Sequence, residues 1–172
     1  MRFIVYLAAL AATTAFATPA FAQAATATAE ARGLVLQPLT LTKVDDLDFG
    51  TIIASTVAGS VTIDADTGNR TVVGGIVGVA TAPGNRALFA GAGTASQVVV
   101  LTLAPPALLV STSNPADTLV VNNMLLDSGN ATIRTIGATA AFQVGVGGTF
   151  DIAASQPNGL YVANFDLTAD YQ

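Results

Sequence analysis

Apolar and polar residues alternate along the C-terminal end of this chain. In G-L-Y-V-A-N-F-D-L-T-A-D-Y, residues 159–171, Tyr161, Ala163, Phe165, Leu167, Ala169 and Tyr171 fall on one face. Asn164, Asp166, Thr168 and Asp170 fall on the other. Side chains alternate across a strand with period two, so the pattern predicts one long β-strand with a buried face. Such a strand needs pairing, and its partner can belong to another molecule.

The same period recurs upstream. Residues 33–44 read as a strand whose phase changes at Gln37-Pro38: Leu34 and Leu36 share one face, Leu39 and Leu41 the other. Proline cannot donate to a ladder, so a bend or a change of sheet is expected there. Leu47, Phe49 and Ile53 lie in phase around Gly50, and Val61 and Ile63 alternate with Thr62 and Asp64. A turn at Asp66-Thr67-Gly68-Asn69 leads into residues 70–74. Residues 86–91 set Leu88 and Ala90 against Phe89. The near-continuous apolar run 97–103 predicts a central strand buried on both faces, stopped by Pro105-Pro106. Residues 118–126 and 139–146 give two more strands, the second with Ala140, Phe142, Val144 and Val146 in phase. Gly145, Gly147 and Gly148 suggest a bulge or turn before Phe150 and Ile152. No 3.6-residue period follows Arg32. Short strands punctuated by Gly, Asn, Asp and Pro predict an all-β sandwich or barrel, with Phe49, Phe142, Val144, Tyr161, Phe165 and Leu167 in its core.

The N-terminus changes the picture. Arg2, an apolar stretch 3–17 and Ala20-Phe21-Ala22 read as a cleavable export signal over residues 1–22. The apolar stretch is shorter than the ~20 residues that a spanning helix needs. Residues 23–33 then form a separate extended segment. Ala25, Ala27, Ala29 and Ala31 alternate in it with Thr26, Thr28, Glu30 and Arg32. Residues 34–172 are of single-domain length.

Charge and missing residue types narrow the function. The formal net charge is −5, and loss of Arg2 with the signal makes it more negative still. Without a basic cluster, nucleic acid is an unsuitable partner. The chain has no histidine and no cysteine. Ser-His-Asp and Cys-His catalysis are thereby impossible, and most transition-metal sites lose their usual ligands. No residue is assigned a catalytic, cofactor-binding or metal-binding role. Asp45, Asp46 and Asp48 lack the complete ligand spacing of a calcium loop and read as a charged turn. Asp64 and Asp66 read likewise. Charged residues make up only 10% of the chain, so either Thr, Ser, Asn and Gly dominate the surface or an assembly covers much of it.

Four motifs carry a family resemblance: P-L-T-L-T-K at 38–43, D-L-D-F-G-T-I at 46–52, G-x-R-T-V at 68–72, and the closing G-x-Y…F…Y at 159–171. Together they resemble the exported bacterial family named domain of unknown function 4402. The L-D-F-G step and the G-x-Y…Y end are also similar to spore-coat U domains and to archaic chaperone–usher pilins. The pilin resemblance implies an immunoglobulin-like sandwich lacking one strand. A periplasmic chaperone would fill the gap first, and the N-terminal extension of the next subunit would replace it at an outer-membrane usher. Carried onto this chain, residues 24–32 or 34–41 would be the donor, and the C-terminal strand would border the acceptor groove. Many spore-coat U domains carry a disulfide near the first strand, which this chain cannot form.

The expectation is therefore a non-enzymatic subunit of a surface fibre, exported to the periplasm and then to the cell surface, with other copies of itself as partners. Two alternatives stand beside it. A small outer-membrane β-barrel would need aromatic girdles, which a chain with no Trp supplies poorly. A monomeric binding sandwich would need an exposed aromatic patch.

Overall fold

The computed structural model describes residues 24–172; the expected export signal lies outside them. Residues 24–34 form neither strand nor helix and are exposed throughout. Val35–Gln172 makes one compact unit, nearly all of it antiparallel β-structure in curled sheets. A single turn at Asp127–Asn130 is left-handed, with Ser128, Gly129 and Asn130 all at positive φ.

The longest strand, β11 (Ala141–Ile152), organises the larger sheet. Along one edge it pairs first with β6 (Ala87–Ala92) and then, from Gly148 onward, with β3 (Gly59–Ile63). Its other edge takes β9 (Thr118–Leu126). Beyond β6 lies β1 (Thr40–Asp45), and beyond β3 lies β4 (Arg70–Gly74). Beyond β9 lie β8 (Leu108–Ser111) and β12 (Tyr161–Val162). A smaller sheet has β7 (Val98–Ala104) between β10 (Ile133–Thr135) and β13 (Asp166–Tyr171). The two-residue strands β2 (Ile52–Ile53) and β5 (Val77–Gly78) pair separately.

This arrangement makes two cores. The N-terminal half of β11 contributes Val144 and Val146 to a cluster with Ala87, Phe89, Leu101, Leu126 and Leu167, between the two sheets. Its C-terminal half contributes Phe150 and Ile152 to a second cluster with Val61, Ile76 and Leu119. An edge-to-face aromatic pair serves each core: Phe89–Phe165 with centroids 6.0 Å apart, and Phe49–Phe150 at 4.5 Å.

Local sequence accounts for several details. Leu119 and Leu126 are seven residues apart, so strict alternation would put them on opposite faces. A register shift leaves Asn122 unpaired opposite β11, and both leucines are buried. Gly145, Gly147 and Gly148, expected at a bulge or turn, lie in the middle of β11, and the register against β9 shifts just after them, between Thr149 and Phe150. A Cβ at Gly145 would collide with the Ala65 carbonyl, and one at Gly147 with the backbone of Ile63 and Ala65, where the chain leaves β3. Glycine in a strand marks such a close backbone approach.

Three further expectations change. The apolar run 97–103 does form the central strand of its sheet, but only one face is sealed: Val99 and Leu101 are buried, whereas Val98 and Val100 are half-exposed. The C-terminal alternation is not one strand. β12 belongs to the larger sheet and β13 to the smaller, so the chain changes sheets across residues 163–165. The inward phase survives the crossing, and both pieces pair within the chain. Nor do residues 33–39 of the expected strand 33–44 form one; pairing starts at Thr40.

Candidate functional site

The acidic residues build turns. The Asp48 carboxylate accepts the Gly50 N–H at 2.8 Å, and its backbone pairs with that of Asn85. Asp46 pairs with Lys43 at 2.6 Å in the open. Asp64 accepts the Thr67 hydroxyl and the Thr67 and Asp66 N–H groups. The Thr67 side chain, then its backbone, holds the Asp64 carboxyl below the ordinary carboxylate range. Among the described residues, no three acidic side chains converge as metal ligands.

The arginines turn inward. Arg70 on β4 donates to the carbonyls of Val79 at 2.7 Å, Ala82 at 2.9 Å, Thr51 at 3.1 Å and Phe49 at 3.3 Å. One planar cation thereby joins two loops, and Gly50 and Gly78 leave it room. Arg86 donates to the carbonyls of Ala65 and Asp66, holding their loop over the β11 glycines. Arg134 pairs with Asp127 at 2.5 Å, largely buried. With these three cations facing inward, Lys43 and Arg32 remain among the described residues, exposed and each paired with a neighbouring acid. The outer surface is therefore acidic. The G-x-R motif marked Arg70 in sequence, but its acceptors are backbone carbonyls, which no side-chain pattern reveals.

The six residues expected in the core fall into the two clusters. Val144 and Leu167 are buried in the first, with Phe142 and Phe165 packed against it. Phe49 and Tyr161 pack against the second. The Tyr161 hydroxyl donates to the Pro157 carbonyl at 2.7 Å and accepts the Gln156 amide at 2.9 Å. Tyr171 works similarly: its hydroxyl accepts the Thr94 N–H at 2.7 Å and donates to the Gln37 carbonyl at 2.9 Å. It thus ties the end of β13 to the residues entering β1.

In the N-terminal segment, Ala25, Ala27, Ala29 and Ala31 are all exposed and make no ladder. Its ion pair, Arg32 to Glu30, is local. Just beyond, Leu34 is 74% exposed and Val35 93%.

Several strand edges in the compact unit have no partner among the described residues. The outer edges of β1, β4 and β13 are of this kind. Another lies on β7, because β10 pairs only with Val98–Val100. The Leu101 N–H still reaches the Thr132 carbonyl at 2.7 Å. Beyond that bond a groove of about 440 Å³ opens between β7 and β9. A second groove, of about 520 Å³, lies by Val73, Val120 and Asp151 and has no aromatic in its lining.

The family model described as Domain of unknown function (DUF4402) matches residues 39–171, which span β1 to β13. No curated protein and no solved structure matches the chain.

Proposed function

The chain belongs to the DUF4402 family, and we propose that it is a non-enzymatic, exported structural subunit that assembles by β-strand addition between copies. The observation that carries this reading is a pair of complementary surfaces. Residues 24–34 form neither strand nor helix and alternate in sequence over 25–32, while the compact unit presents strand edges without partners among the described residues. An added strand would gain main-chain hydrogen bonds along its length, and alternate side chains would set the fit. The two sheets facing one another across a shared core favour an immunoglobulin-like sandwich. Their open edges favour it over a barrel, which closes every edge. A surface fibre is the product expected of such assembly, with a periplasmic chaperone and an outer-membrane usher as partners during export.

The alanine face distinguishes this reading from nonspecific association. Ala27→Asp with Ala29→Asp places two charges on the face that would be buried, and should abolish multimers while leaving the monomer folded. Thr26→Asp with Thr28→Asp places the same charges on the opposite face and should be tolerated. Equal assembly by both variants would reject the alanine face as the inserted one.

A further inference from the structure

The open edge of β7 combines unmet backbone groups with an adjoining groove, and the inference drawn from it rests on the reading just given. Hydrogen-bonding groups along a strand point to the same edge at every second residue. The Leu101 N–H points toward β10, where it meets Thr132. The N–H and C=O of Leu103 therefore point to that same edge, and no backbone partner meets them among the described residues. Beside them lies the groove of about 440 Å³, with Leu101, Leu103, Met124 and Leu126 in its lining. Met124 and Leu103 are only partly buried although both pack against the interior cluster. A short piece of the smaller sheet is in effect missing where β10 stops.

We infer that residues 24–32 of a second copy enter this groove as a strand beside β7, continuing the line of β10. A residue opposite Leu103 would point the same way as Leu103, onto Met124. The small alanines suit that inward position, and the intervening Thr residues would face outward in line with Thr102. The competing receptor is the outer edge of β13, on the far side of β7. Thr102 and Thr168 are directly opposite one another on β7 and β13, so they mark the two edges one strand apart.

Absence of cysteine from the chain makes disulfide trapping unambiguous. Thr26→Cys, Thr28→Cys and Glu30→Cys donors are each mixed with full-length Thr102→Cys or Thr168→Cys receptors and oxidised with copper phenanthroline in air. Neighbouring strands lie ~4.8 Å apart, whereas a strand two places away lies ~10 Å off, beyond the ~7 Å that a disulfide bridges. At least one donor should trap Thr102→Cys with ~10-fold greater yield than Thr168→Cys, since only the former is within bonding range. Preferential trapping of Thr168→Cys would overturn the β7 assignment and leave strand addition standing. Multimers on a sizing column with no trapping at either position would also overturn it. Absence of multimers in every mixture would overturn strand addition itself. Met124→Trp fills the groove from a partly exposed position; it should prevent trapping at Thr102→Cys while circular dichroism stays that of the parent, and unchanged trapping would count against the groove.

Discussion

Replacing Arg70 with methionine tests how this cysteine-free unit is held together. The substitution keeps an unbranched apolar stem and removes a guanidinium that donates to four carbonyls at 2.7–3.3 Å. Hydrogen bonds from a charged donor contribute about 1.5–3 kcal/mol each, which would suggest a loss of 6 kcal/mol or more. Three of the acceptors keep a backbone donor, however: Thr51 O from Val79, Ala82 O from Thr51, and Val79 O from Ala82. The side chain is also only partly buried, so water replaces part of what is lost. The Phe49 carbonyl has no second donor among the described backbone bonds. The expected net cost is about 3 kcal/mol, one or two charged bonds plus one stranded carbonyl. With an m-value of ~2 kcal/mol/M for a domain of this size, the urea midpoint should fall by ~1.5 M at unchanged slope. Arg70→Lys should recover less than half of that loss, because an ammonium cannot span acceptors in two loops as the fork does. A midpoint shift of Arg70→Met below ~0.3 M would refute the clamp, since it corresponds to the effect of an ordinary surface substitution.

Three other outcomes are expected. Phe165→Ala removes the ring that meets Phe89 edge-to-face; because Phe165 is only partly buried, denaturant titration should give about 2–3 kcal/mol, below the usual range for a sealed core. Gly147→Ala drives a methyl group into the Ile63 backbone, which cannot step aside as a flexible side chain would; it should cost at least ~2 kcal/mol by the same assay. Asp64 has a depressed folded-state pKa, owing first to the Thr67 hydroxyl. Its stabilising contribution is therefore present above the ordinary carboxylate range and is lost as pH falls through the folded value. Thr67→Val should raise the Asp64 pKa toward the ordinary value in a carboxyl-carbon NMR titration, and an unmoved titration would contradict that cause.

The apolar pattern was enough to place strands within 61–64, 97–103, 118–126 and 139–146, because it records which side chains face inward. It does not record which sheet a strand joins. Residues 161–171 keep one inward phase while β12 and β13 pair in different sheets, so the crossing at 163–165 left no mark in the pattern. The same blindness hid the two cores: Phe49 and Phe165 are equally apolar in sequence, but they pack against opposite halves of β11. Gly145 and Gly147 read as bulge or turn residues because their need for space comes from Ile63 and Ala65, far away in sequence. The Arg70 clamp stayed hidden for a related reason, since its acceptors are main-chain carbonyls common to every residue. For the candidate site, the alternating alanines were visible from the start. The β7 edge was not, because it depends on where β10 stops.

Sedimentation velocity of the signal-free chain over a concentration series, beside the same chain lacking residues 24–33, bears most directly on strand addition. Strand addition requires a ladder of multimers for the former and a single monomer of unchanged β-content for the latter. Multimers of equal size and stability from both chains would contradict it.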